Sequence, residues 1–153
     1  MTNLNRRDLC VALSSFAAMA AALPAKAQST AVATAPAENV LSRQRTFRFD
    51  ELQVKKGPNG ETRPVLQGVL PTGEAVEMHE TTLLPGHMPH PAHKHHHSEL
   101  MLIREGTLDF DNDGTPERVG PGGVVFAASN VMHGLKNVGE TSANYFVIAI
   151  GHE

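Results

Sequence analysis

Cysteine is nearly absent from this 153-residue chain, and its single thiol, Cys10, excludes both an intrachain disulfide and a cysteine-ligated metal cluster. Tryptophan is missing and aromatic residues make up 5%, which leaves little surface on which nucleic-acid bases would stack. The formal net charge of −3 gives no basic footprint, so no nucleic-acid partner is expected. Long apolar runs are also lacking. The longest, Leu9 to Leu23, falls short of the roughly 18 residues needed to cross a membrane, so no stable membrane span is expected. Against that plain background histidine stands out: nine are present, and His87, His90, His93, His95, His96 and His97 share one short stretch.

The N-terminus reads as an address. Arg6 and Arg7 precede the apolar run, and Ala25-Lys26-Ala27 after it has the small-x-small pattern cut by signal peptidase after Ala27. Asn5-Arg6-Arg7-Asp8-Leu9 resembles a twin-arginine signal, with Asn5 where Ser or Thr is usual and Leu9 where Phe is usual. An ordinary secretory signal with two arginines is the alternative. Both imply a bacterial protein exported to the periplasm or beyond, and the resemblance implies the twin-arginine export machinery as a partner. Cleavage would remove Cys10 and leave no thiol for an oxidising compartment to modify. Residues 28–44, rich in Ala, Ser and Thr, read as a flexible linker, and 45–153 as the folded domain.

From Thr46 onward, short apolar or alternating runs are cut by turn signals. The runs are Thr46–Phe49, Val65–Leu70, Ala75–Leu84, Leu100–Arg104, Thr107–Phe110, Val124–Phe126, Val131–Leu135 and Asn144–Ile150. Gly57-Pro58-Asn59-Gly60, Asn112-Asp113-Gly114 and Gly120-Pro121-Gly122-Gly123 are among the breaks. Many short strands without an amphipathic helix predict an all-β sandwich or barrel. Asp109 to Gly114 imitates the start of a calcium-binding EF-hand loop, but its twelfth position is Gly120 rather than a bidentate Glu; an acidic hairpin turn is the reading.

His93, His95 and Glu99 are spaced by even numbers, so an extended backbone would put all three on one face, with Met101 and Ile103 continuing the parity. His133 opens another apolar strand. Three imidazoles and one carboxylate suit a first-row divalent ion and leave two octahedral positions for substrate, water or oxygen. Gly86, His93-Lys94-His95, Glu99 and Gly106 resemble the first motif of the cupin family, with a gap after Gly86 one residue longer than usual. Gly122, His133 and Asn137 resemble the second, with Ala128 where proline is usual and Asn130 where glycine is usual. Asn tolerates the left-handed conformation that such a turn requires.

The resemblance implies a single-domain, six- to eight-stranded jelly-roll β-barrel, with His93, His95, Glu99 and His133 as ligands of one divalent metal ion. Met101, Ile103, Val131 and Leu135 would line its apolar interior. Homodimers are common among similar proteins. His87, His90, His96 and His97 lie outside the ligand set; they read as a polar loop at the barrel mouth, or as side chains that collect metal or polarise substrate there. His79 shares a strand face with Glu77 and Thr81, and either lines the pocket or faces solvent.

Zinc, copper and nickel would bind such ligands, but a chain exported already folded would close on its ion in the cytoplasm, which favours manganese or iron. Cupins host many reactions, so three functions stand open. The first is a metal-dependent oxygenase acting on a small chelating substrate (an enol, catechol or hydroxy acid). Its resemblance to flavonol-cleaving cupins implies Glu99 as the catalytic base. The second is a redox-neutral lyase or isomerase, and the third is a module that binds a small ligand or metal without turnover.

Overall fold

The computed structural model describes residues 41–152. The expected signal peptide and cleavage site, Cys10, and most of the expected 28–44 linker lie outside the described residues. Among the described residues no helix is long and apolar enough to cross a membrane.

Nine strands form, where six to eight were expected: β1 (Lys55–Gly57), β2 (Gly60–Val69), β3 (Ala75–Leu83), β4 (Ser98–Glu105), β5 (Leu108–Asn112), β6 (Thr115–Val119), β7 (Val124–Ala127), β8 (His133–Asn137) and β9 (Ala143–Ile150). One six-stranded sheet has the order β1-β2-β3-β9-β4-β7, and a three-stranded sheet has the order β6-β5-β8. The two sheets bury one face each against the other. Leu83, Met101, Ile103, Tyr145 and Val147 of the large sheet share a core with Leu108, Phe110 and Leu135 of the small one. This is the all-β jelly roll expected from the sequence, made of two facing sheets rather than one continuously bonded barrel.

Period-two patterning positions the core. Along β4, Met101 and Ile103 point inward while Leu102 between them is exposed, and β7 alternates in the same way. The Asp113-Gly114 turn joins β5 to β6, with φ of 48° and 88° at its two central residues. That handedness matches strand twist, and it explains why Asp-Gly makes a hairpin here rather than a calcium loop. The Asp111 carboxylate accepts the Gly114 N–H at 2.7 Å.

One expected strand is absent, and strands β1 and β6 form where no run was expected. Thr46–Phe49 forms no strand, because the sheet edge beside β2 is taken by Lys55–Gly57 through the Gly57–Gly60 hairpin. Phe49 instead opens a short 3-10 turn and lies against the guanidinium groups of Arg63 and Arg104, 4.8 and 5.2 Å from its ring centroid. Strand β6 had no apolar run to announce it. Its partner β5 supplies the pairing, and Pro116 is accommodated because β6 is an edge strand.

The outer face of the large sheet holds a buried carboxylate. Glu80 is fully buried and accepts hydrogen bonds from Arg63 (2.9 Å), from the Thr82 hydroxyl (2.7 Å) and from the Asn144 amide. These partners converge because Arg63 on β2 is the cross-strand neighbour of Glu80, and Asn144 on β9 that of Thr82. Removing one partner of a buried pair leaves an uncompensated charge. Arg63→Ala should therefore lower the unfolding free energy by about 3–5 kcal/mol in urea titration. An unchanged midpoint would mean that water replaces the guanidinium.

Candidate metal centre

The centre begins with a backbone bridge. His93 and His133 exchange two N–H···O=C hydrogen bonds of 2.9 Å, which dock the segment before β4 onto the start of β8. Four residues on, Asn137 N–H donates to the His87 carbonyl while Gly86 N–H donates to the Asn137 carbonyl, both at 2.9 Å. The loop between β3 and β4 is thus tied to both ends of β8. Its extra residue after Gly86 is taken up without losing either tie. Asn130, standing where glycine was expected, adopts φ of 61°, and its N–H donates to the His95 carbonyl at 2.8 Å. The turn before His133 survives the substitution.

The uninterrupted extended backbone assumed from parity does not occur. The chain bends at His96 and His97 and enters β4 only at Ser98. Glu99 then projects from β4 between Ala127 and Ala149, its small cross-strand neighbours on β7 and β9. The structure brings His93, His95 and His133 within reach of one ion. One ring nitrogen from each lies within 4.8 Å of the others. Glu99 stands beside them, its Oε1 3.4 Å from His95 Nε2 and its Oε2 3.6 Å from His133 Nε2.

Hydrogen bonds set the imidazole tautomers. His95 Nδ1 lies 2.8 Å from the His97 carbonyl and His133 Nδ1 lies 2.9 Å from the Val131 carbonyl. A carbonyl only accepts, so each Nδ1 carries the proton and each Nε2 presents a lone pair. Both Nε2 atoms, together with His93 Nδ1, are buried without a hydrogen-bond partner. A buried polar atom left unpaired costs about 1–3 kcal/mol, and three converging on one point fit a divalent cation that all three ligate. Burial holds the pKa of His93 below the usual histidine value, with the neighbouring His90, His133 and His95 adding to the effect; Glu99 opposes it. A neutral ring is the form that binds metal.

A cavity of about 250 Å³ opens against His133 and Glu99, with Met101, Leu135, Tyr145 and Val147 among its walls. Burial pushes the Tyr145 hydroxyl above its ordinary pKa, so it stays protonated. Met101 and Leu135 lie where parity put them. Val131 does not: it is exposed in the turn before β8, because the strand starts two residues later than its apolar run suggested. His79 lines the same cavity, and its Nδ1 is 2.9 Å from the Glu77 carboxylate. His90 lines it too, packing edge-on against His93 with centroids 4.2 Å apart, whereas His96 is exposed and His87 pairs with Asn59 at 3.2 Å.

His97 is the residue the polar-loop reading undervalued. Its ring stacks on His95 at 3.6 Å between centroids, and its Nε2 is 3.3 Å from Glu99 Oε1. The even spacing of 93, 95, 97 and 99 was the available signal.

Two other motif residues hold the frame. Gly106 has φ of 87°, and a Cβ there would meet Ala143 at 2.6 Å. Asn137 is fully buried; its amide donates to the Leu83 and Thr141 carbonyls and its oxygen accepts the Gly139 N–H.

Elemental analysis of purified protein beside His93→Ala tests the centre. About one divalent ion per chain is expected, falling at least tenfold in the variant. Substoichiometric metal that the variant leaves unchanged would mean adventitious binding by the histidine loop.

Comparison with known proteins places this geometry. Residues 79–149 match the model of the cupin domain. No curated protein matches the chain in sequence. An RmlC-like cupin from Shewanella frigidimarina is similar in structure, with TM-score 0.60 and 15% identity over 72% of this chain and 94% of its own. A predicted oxalate decarboxylase from Thermotoga maritima gives TM-score 0.60 and 20% identity over 71% of this chain and 100% of its own. The polyketide cyclase RemF from Streptomyces resistomycificus gives 0.58 and 15% over 72% and 81%. At these identities the likeness is one of fold. With its facing sheets, the chain has the cupin fold, and its residues 79–149 match the cupin domain model.

Proposed function

We propose that this chain is an exported, mononuclear metal-dependent oxygenase acting on a small chelating organic substrate such as an enol, a catechol or a hydroxy acid. The observation that carries the reading is the set of three buried, unpartnered imidazole nitrogens beside Glu99, of which His133, with Glu99, lines a cavity large enough for a small molecule only. His93, His95 and His133 would hold the ion, with Glu99 as the fourth ligand. When bound, the ion supplies Lewis acidity and coordination positions for oxygen donors. Manganese or iron is favoured for a chain folded before export, a reading that rests on Arg6 and Arg7.

The chain's own groups do the rest. Met101, Leu135 and Val147 exclude water from the inner wall. Glu99, whose two oxygens face different histidines, is placed to release one contact and accept the proton of a substrate hydroxyl. The buried, protonated Tyr145 hydroxyl supplies a fixed dipole on the same wall.

One observation favours redox-neutral chemistry as a second reading. His79 on β3 lines the same cavity with its Nδ1 held by Glu77, and a carboxylate that orients one ring nitrogen leaves the other to move a proton. The similar structures include a cyclase and a predicted oxalate decarboxylase, names compatible with metal-assisted chemistry on oxygen-rich substrates.

Oxygen consumption by the manganese- or iron-loaded protein, measured with a panel of enols, catechols and hydroxy acids, separates the readings. Stoichiometric use of oxygen and substrate is expected. Glu99→Gln should slow turnover by about 10²-fold or more, the usual worth of a placed base. Turnover without oxygen uptake would transfer the assignment to the Glu77–His79 reading, and tight binding without turnover would make the chain a binding module.

A further inference from the structure

We infer that His95, His97 and Glu99 form an outer site for a divalent cation, through which the deeper centre is filled. The inference rests on the reading of His93, His95, His133 and Glu99 as a metal centre.

One donor atom from each of His95, His97 and Glu99 lies within 4.8 Å of the other two, the same closeness found in the deeper trio. Glu99 Oε1 is 3.4 Å from His95 Nε2 and 3.3 Å from His97 Nε2, whereas Oε2 turns toward His133 at 3.6 Å. The carboxylate therefore serves two donor sets, one with each oxygen. The His95 Nε2 atom that both sets share is buried and has no hydrogen-bond partner, its side chain being 9% exposed.

The two sets belong to different cavities. His97 and Glu99 line a space of about 660 Å³ together with Gln67, Glu77 and His152. His133 and Glu99 line the 250 Å³ cavity described above. Glu99 is the one residue common to both linings. His133 is 2% exposed and His97 11%, so the deeper set is the more enclosed.

This arrangement has a physical consequence. Because His95 and Glu99 are common to both sets, a single cation cannot engage the full outer and the full inner set as separate sites. Transfer inward exchanges His97 for His93 and His133 while His95 and Glu99 stay engaged. Stripping of hydration water is thereby spread over steps, and two protein donors persist throughout. Imidazole and carboxylate together select a first-row divalent cation, and Glu77 adds negative charge to the outer space.

Stopped-flow uptake of cobalt(II) by the metal-free protein tests the inference, read from the visible absorption of the bound ion. His97→Gln should slow the uptake rate constant roughly tenfold or more. At equilibrium it should still bind one cobalt per chain with the wild-type spectrum, and circular dichroism should match the wild type. His96→Gln, at the exposed neighbour, should leave the rate unchanged.

An unchanged rate in His97→Gln would overturn the outer site. So would a shifted spectrum with an unaltered rate, since His97 would then be a resident ligand of the deeper centre. Should His97→Gln misfold, His97→Asn takes its place with the same expected and contrary results. The underlying centre fails separately: wild-type protein that binds no cobalt, or cobalt that His133→Ala retains with an unchanged spectrum, would remove both.

Discussion

Two backbone hydrogen bonds between His93 and His133 join the loop ahead of β4 to a strand of the opposite sheet, and the arrangement of the site follows from that bridge. Without it, His93 and His95 would hang on a loop of irregular backbone, and His133 would stand alone at the start of β8. With it, the rings of His93, His95 and His133 are held with centroids 4.7–5.1 Å apart. The bridge has a counterpart at the far end of β8, where Asn137 exchanges backbone bonds with Gly86 and His87. Close approach is needed along the whole contact, and Gly134 permits it: a Cβ there would lie 3.2 Å from the Ala92 side chain.

The rest of the fold reads as support for that contact. The interior is largely apolar outside the site, and two of the polar groups buried elsewhere are bonded in specific ways. Asn137 pins the ends of β3 and the β8–β9 turn with three hydrogen bonds. Glu80, on the far face of the large sheet, is satisfied by residues from β2, β3 and β9. Both are expensive to bury and expensive to break, so they fix strand register as well as adding stability. Register decides whether Glu99 faces inward, since a slip by one residue would turn it to solvent and bring Leu100 in.

Much of this was legible in the residues. Alternation along β4 put Glu99, Met101 and Ile103 on one face, and the Asp113-Gly114 pair marked a hairpin. Asn130 was read as a tolerable replacement for glycine, and its φ of 61° agrees. What escaped the sequence was non-local. The bend at His96 and His97 is a response to the bridge with β8, which no local pattern encodes. Val131 belonged to an apolar run but lies outside the strand, because the strand begins where pairing with β5 begins, at His133. Phe49 follows the arginines of two distant strands rather than its own alternation. Glu80 was not singled out in the sequence, since its Arg63 and Asn144 partners lie 17 and 64 residues away.

The central claim is that one ion is held jointly by the loop and by the opposite sheet. X-ray absorption spectroscopy of the manganese- or iron-loaded protein tests it most directly, with wild type beside His133→Ala. The account predicts three imidazole nitrogens on the metal in the wild type, and one fewer in the variant. A first shell of water and carboxylate oxygens with no imidazole, or an imidazole count that His133→Ala leaves unchanged, would contradict it.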